Sequence, residues 1–178
     1  MLVLVLGLLG EGVLCDELRI NNADEFIEFS KNVSSGARYK RVTVFLNSDI
    51  DFTEKTFEPI GNESNGFNGV FDGQGHIISN LEVNSSNEYV GLFGYSSGTT
   101  IKNVVMDSSC SITSSIYSTN YVTPHIGGVI GDCTSESSQC IVESIINMES
   151  VLLVETHNLI CTLGGLLDIF CQIEIMIQ

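Results

Sequence analysis

The sequence predicts an all-β chain built from repeated units that stack into a short parallel solenoid, and three observations predict it. One glycine-containing string recurs four times along the chain. The composition combines 17 Gly with only two Pro and no Trp, alongside many Ser, Asn and β-branched residues, which suits short strands joined by tight turns. Within the copies no stretch keeps the i, i+3, i+4 apolar spacing of a helix.

The repeat emerges when the chain is laid against itself. Gly69-Val70-Phe71-Asp72 aligns with Gly91-Leu92-Phe93-Gly94, an offset of 22 residues. The string returns as Gly128-Val129-Ile130-Gly131 and Gly165-Leu166-Leu167-Asp168, each 37 residues after the copy before it. A second string, Ile78-Ser79-Asn80-Leu81-Glu82-Val83, aligns with Ile101-Lys102-Asn103-Val104-Val105-Met106 and, in degenerate form, with Val142-Glu143-Ser144-Ile145-Ile146-Asn147. One copy alone has too little apolar surface to bury, whereas stacked copies share a continuous core. This alignment predicts Val70, Leu92, Val129 and Leu166 in one column and Ile78, Ile101 and Val142 in another. It also makes Asn80 and Asn103 equivalent corners whose amides could stack. Ser108 to Pro124 interrupts the repeat and reads as a projecting polar loop or hairpin.

A cap is expected before the first strand. Asn22 is a good N-cap, Asp24 and Glu25 follow in the first turn, Phe26, Phe29 and Val33 share one face, and Gly36 ends the segment. The expected organisation is a leader over residues 1–15, an N-terminal cap with an amphipathic helix over 16–41, and repeats over 42–178 that degenerate after about residue 150.

Charge restricts the partners. Asp and Glu number 22 against 7 Lys and Arg, a formal net charge of −15, and after Lys55 only Lys102 remains as a base. Such a surface repels phosphate backbones, so nucleic acid is excluded as a partner. Met1 to Leu9 is almost wholly apolar and resembles a secretory h-region ending near Cys15, although no Lys or Arg precedes it and Glu11 falls late. The run is too short to span a bilayer. Six cysteines (15, 110, 133, 140, 161 and 171) show no C-x-x-C spacing. Three sequons, at Asn32, Asn62 and Asn84, are glycosylation candidates. Together these features point to a secreted or cell-surface glycoprotein.

Cys133 and Cys140 flank a corner longer than its counterpart at Tyr95 to Gly98, and a disulfide between them is expected. At the far end, Ile173, Ile175 and Ile177 alternate with polar residues, which predicts an uncovered strand able to self-associate. Leader cleavage after Cys15 would leave five cysteines, and both facts suggest a chain that continues in a longer gene product.

The string Phe57-Glu58-Pro59-Ile60-Gly61, followed by Phe67-Asn68-Gly69-Val70-Phe71-Asp72-Gly73-Gln74-Gly75-His76-Ile77-Ile78-Ser79-Asn80-Leu81 and Tyr89-Val90-Gly91-Leu92-Phe93-Gly94, resembles GLUG-type repeats of bacterial and protist surface proteins. The resemblance is strongest from about Val42 to Met106. It implies a short right-handed parallel β-helix of the pectate-lyase type, and it implies no activity, because such repeats form stalks and surface modules.

Chemistry is sparse. β-Helix enzymes that cut polysaccharides place carboxylates on adjacent turns, and Asp72 and His76, in one Asp-Gly-Gln-Gly-His corner, are the catalytic candidates. The alignment puts Gly94, Gly131 and then Asp168 in the column of Asp72, with no carboxylate pair on adjacent turns, and leaves His76 alone, so Asp72 is expected to hold a corner and His76 to begin a strand. Cys161 and His157 superficially pair a thiol with a base and read as structural. No G-x-S-x-G, H-E-x-x-H, P-loop or dinucleotide motif occurs, and no cofactor or metal is assigned. The expected function is a non-catalytic, adhesin-like or stalk-like surface module with a glycan or protein ligand. The alternatives are a divergent polysaccharide-active enzyme and a fragment of a larger surface protein.

Overall fold

A computed structural model of the chain describes residues 16–115, 125–134, 140–143, 146–147 and 150–151, together with the backbone of 4–5. In chain order the elements are β1 (Leu4–Val5), β2 (Asp16–Ile20), α1 (Ala23–Ser34), β3 (Val42–Leu46), β4 (Ile50–Asp51), β5 (Val70–Asp72), β6 (Ile77–Ser79), β7 (Glu82–Ser85), β8 (Tyr89–Val90) and β9 (Phe93–Ser97). They continue with β10 (Thr100–Lys102), β11 (Val105–Met106), β12 (Ser111–Ser114), β13 (His125–Ile126), β14 (Ile130–Thr134), β15 (Ile141–Glu143), β16 (Ile146–Asn147) and β17 (Ser150–Val151).

These strands are shared among separate sheets of six, four, three, two and two strands. All pairings are parallel except β1 with β2. The expected right-handed parallel β-helix is therefore corrected: the described residues form several small sheets, with no closed sheet and no solenoid.

The register explains the difference. Val70 lies in the six-stranded sheet opposite Thr43 and Thr100, whereas Leu92 and Val129 accompany the pairing of β9 with β14. Ile78 pairs with Met106 in the four-stranded sheet, while Ile101 pairs with Val142 in the six-stranded one. Both predicted columns thus divide between sheets, and Leu166 lies outside the described residues. The glycine strings match because each meets the same local demand. A Cβ on Gly69 would stand 2.7 Å from the Tyr39 carbonyl oxygen, and one on Gly91 2.9 Å from that of Gly127. Close backbone approach, common to both places, does not make the places equivalent.

Within the six-stranded sheet the pleat separates two rows. Leu18, Val44, Phe71 and Ile101 face the core and are fully buried, with Val142 continuing the row. The opposite row reads Arg19, Phe45, Asp72, Lys102, Glu143. In the four-stranded sheet Ile50, Ile78 and Met106 form the buried row, and Val83 and Ile112 do the same in the three-stranded one. β12 belongs to this last sheet, so Ser111–Ser114 is a paired strand rather than the start of a projecting loop.

The helix begins at Asn22, whose side chain accepts a hydrogen bond from the Glu25 N–H at 3.0 Å. Its end is closed by N–H groups of Ser35 and Gly36, which donate to Lys31 and Val33, and Gly36 takes a φ of 100°. Phe26, Phe29 and Val33 are buried along one face. Phe26 makes ring contacts with Phe29, Phe52, Phe57 and Phe71 at centroid distances of 5.5–6.2 Å.

Candidate functional site

The corner Asp72-Gly73-Gln74-Gly75-His76 joins β5 to β6 and passes tightly over the backbone of the next repeat. Gly73 donates its N–H to the Lys102 carbonyl and Gly75 to that of Asn103. A Cβ on Gly73 would collide with the Asn103 carbonyl, so only glycine fits there.

The Asp72 side chain closes this corner. Its Oδ1 accepts from the Gln74 N–H at 3.0 Å and from Asn103 Nδ2 at 2.9 Å, and its Oδ2 lies 3.4 Å from Lys102 Nζ. Partial burial pushes the carboxyl upward, but the hydrogen bonds from Asn103 and Gln74 and the Lys102 charge outweigh it. The net shift is downward, so Asp72 is ionised at neutral pH, the opposite of a general acid held protonated. In its row the next carboxylate is Glu143, with Lys102 standing between them. Gly94 and Gly131 do not share that row; they lie along the pairing of β9 with β14.

His76 directly precedes β6 and turns to another partner. Its Nδ1 sits 3.1 Å from Asp49 Oδ1, an atom that also accepts the Ile77 N–H at 2.9 Å. The Ile77 N–H and then His76 hold the Asp49 carboxyl below its ordinary range. A shallow groove of about 500 Å³ beside the corner is lined by Asp72, Gln74, Gly75, Asn103, Val105 and Ile146, and His76 is not among them.

The two corner asparagines have the same backbone, φ 54° at both Asn80 and Asn103, a left-handed conformation that asparagine tolerates better than most residues. They do not stack on each other. Asn80 Nδ2 donates to Asp51 and Asn103 Nδ2 to Asp72, each bond reaching the aspartate that ends the paired strand of the same sheet. Asp51 also accepts from Thr53, and these bonds hold its carboxyl low. Asp107 takes the N–H and hydroxyl of Ser109, whose own oxygen accepts the Asn80 N–H.

Cys133 and Cys140 form a disulfide, with Cα atoms 6.5 Å apart. Of the sequon residues, Asn32 is half-buried within α1. Asn62 is exposed but committed at both amide atoms, accepting from Ser64 and Asn65 and donating to Ser34 O. Asn84 is exposed and points out of β7 opposite Thr113. The leader assigned to residues 1–15 lies outside the described residues apart from β1. Cys15, His157, Cys161, Asp168, Cys171 and the terminal isoleucines lie outside them entirely.

Sequence reasoning missed an aromatic cluster on β8, β9, β13 and β14. Tyr89 pairs with His125 and Tyr95 with Asp132. The Tyr89 ring lies 4.9 Å from that of Tyr95 and 5.2 Å from that of His125, whose Nδ1 is 3.3 Å from Asp132 Oδ2. Burial, followed by the charges of Glu88, Glu63 and Asp132, raises the Tyr89 hydroxyl above its usual range. Only the parallel register of residues more than 30 positions apart assembles this group, and no local motif marks it.

No family model matches the chain, and neither a curated protein nor a solved structure matches it. The likeness to GLUG-type repeats rests on the quoted residues alone. Among the described residues no helix is long and apolar enough to cross a membrane.

Proposed function

We propose that the chain is a non-catalytic secreted or cell-surface module, adhesin-like or stalk-like, whose partner is a glycan or a protein. The observation that carries this reading is the commitment of Asp72 and His76. Each is engaged by structural partners beside a neighbouring strand, Asp72 by Asn103 and Lys102, His76 by Asp49. Glycoside hydrolysis ordinarily uses two carboxyl groups flanking the scissile bond, and the carboxylate row here is interrupted by Lys102. The resemblance to surface-protein repeats and a disulfide compatible with an oxidising compartment support the same reading. The test is incubation of the chain with acidic and neutral polysaccharides, with new reducing ends and unsaturated products as readouts. No turnover is expected. Turnover that disappears in Asp72→Asn would replace the module with an enzyme.

A further inference from the structure

A second groove, also of about 500 Å³, opens between the loop after α1, the turn around residues 61–66 and strand β9. Its walls include Arg38, Lys40, Glu63, Asn65, Tyr95 and Thr134. Three features set it apart from the rest of the surface.

The first is charge. Of the seven basic residues in this acidic chain, Arg38, Lys40 and Arg41 fall within four positions. Arg38 and Lys40 are both exposed, and among the described residues the Lys and Arg ion pairs engage Arg19, Lys55 and Lys102 instead. Glu63 lines the same groove, so the two cations leave it a local excess of positive charge, while screening over about 8 Å damps the rest of the acidic surface.

The second is a ring already set in place. Tyr95 donates to or accepts from Thr134 Oγ1 at 2.9 Å and packs edge-on against Tyr89. Gly66 lies so near that a Cβ there would come within 2.8 Å of the Tyr95 ring. A ring fixed on three sides loses little rotamer entropy when a ligand packs on it.

The third is a polar wall already oriented. Asn65 Nδ2 is fixed on the Ser34 carbonyl at 3.0 Å, and Glu63 brings a carboxylate to the same groove. Carboxylate and amide oxygens accept hydrogen bonds from hydroxyl groups, and those to a charged acceptor are the stronger.

We infer that this groove binds an acidic oligosaccharide of the uronate class: a sugar ring packs on Tyr95, the uronate carboxylate is held by Arg38 and Lys40, and hydroxyls donate to Glu63 and Asn65. Arg38 offers the planar fork that suits a carboxylate. A neutral glycan would leave both cations unused. The inference rests on the binding-module reading and names its ligand class.

Titration calorimetry of the full chain tests it, with a hyaluronan tetrasaccharide and trigalacturonate as acidic probes and chitotetraose as the neutral one. At least one acidic probe is expected to bind with a Kd of about 0.1–1 mM, weakened by salt and at least about tenfold tighter than chitotetraose. Arg38→Glu with Lys40→Glu should abolish binding and Tyr95→Ala should weaken it about tenfold. Tyr95→Phe should stay near wild type, which separates loss of the ring from misfolding. Absence of binding by both acidic probes overturns the inference, as does equal affinity for chitotetraose or undiminished binding by the charge-reversed variant. If an acidic probe binds the charge-reversed chain as it binds the wild type, the groove assignment fails and the module reading stands. Cleavage of a probe overturns the module reading while leaving the groove in place.

Discussion

The stretch from α1 through β9 and the stretch from β10 onward are held together by different chemistry. In the first, Phe26, Phe29, Tyr39, Phe52, Phe57, Phe67, Phe71 and Phe93 form a connected set of rings with centroids 5.1–6.3 Å apart, mostly edge to face. In the second, the buried apolar residues are Ile101, Val104, Met106, Cys110, Ile112 and Val129, and no buried aromatic follows Phe93 among the described residues. There, without that aromatic cluster, backbone pairing and the Cys133–Cys140 disulfide carry more of the order. Large rings reach across gaps that short aliphatic chains leave open, which is how one helix can be fixed onto small sheets.

This contrast is sharpest at Phe26. Phe26→Ala removes a ring that meets four others and should cost more, toward the upper end of about 3–5 kcal/mol, than Ile112→Ala in the later stretch, expected in the lower part of the range of about 2–5 kcal/mol for such changes. Urea unfolding measures both, and equal costs would erase the distinction between the regions. Removing the disulfide with Cys133→Ser and Cys140→Ser should cost about 2 kcal/mol by the loop-entropy argument. Native-state hydrogen exchange should show that loss in β14 and β15 while α1 and β3 keep their protection.

Asp72 offers a smaller test at the junction. Because its folded pKa lies below the unfolded value of about 3.9, its contribution is present above that value and is lost as pH falls through the folded pKa. Asp72→Asn should therefore be about 1 kcal/mol less stable at neutral pH and converge on the wild type in acid. Parallel curves throughout would show that the charge does nothing there. The smallest effect concerns Ser96, fully buried with a hydroxyl that has no hydrogen-bond partner among the described residues. Ser96→Ala should be neutral or stabilising by up to about 1 kcal/mol, read as a rise in Tm.

What was readable in the sequence was local. The helix announces itself through Asn22, two acids and three apolar residues on one face, and the disulfide through an enlarged corner with a cysteine at each end. The structural use of Asp72 follows from an aspartate two residues before the N–H it accepts. Register was not readable, because glycine records that another backbone is close without recording which one. Gly69 and Gly91 answer the same requirement on different sheets, and aligning them shifted every column inferred from it. The partners of Asp72 and His76, and the grouping of Tyr89, Tyr95, His125 and Asp132, depend on that register and were lost with it.

The row Arg19, Phe45, Asp72, Lys102, Glu143 has a consequence for assembly. Arg19 lies 5.0 Å from the centre of the Phe45 ring, and Asp72 sits within 3.4 Å of Lys102. β2 with β3 and β5 with β10 thus each present groups that complement one another. Strands of two to five residues hold few backbone bonds with which to reject a wrong pairing, and a slip by one residue turns every side chain to the opposite face. Such a slip at β10 would bring Ile101 into the outer row beside Asp72 and leave Lys102 facing the core. The outer row works as an address written across the strands, one that short β-branched segments need in order to find their own neighbour in the sheet.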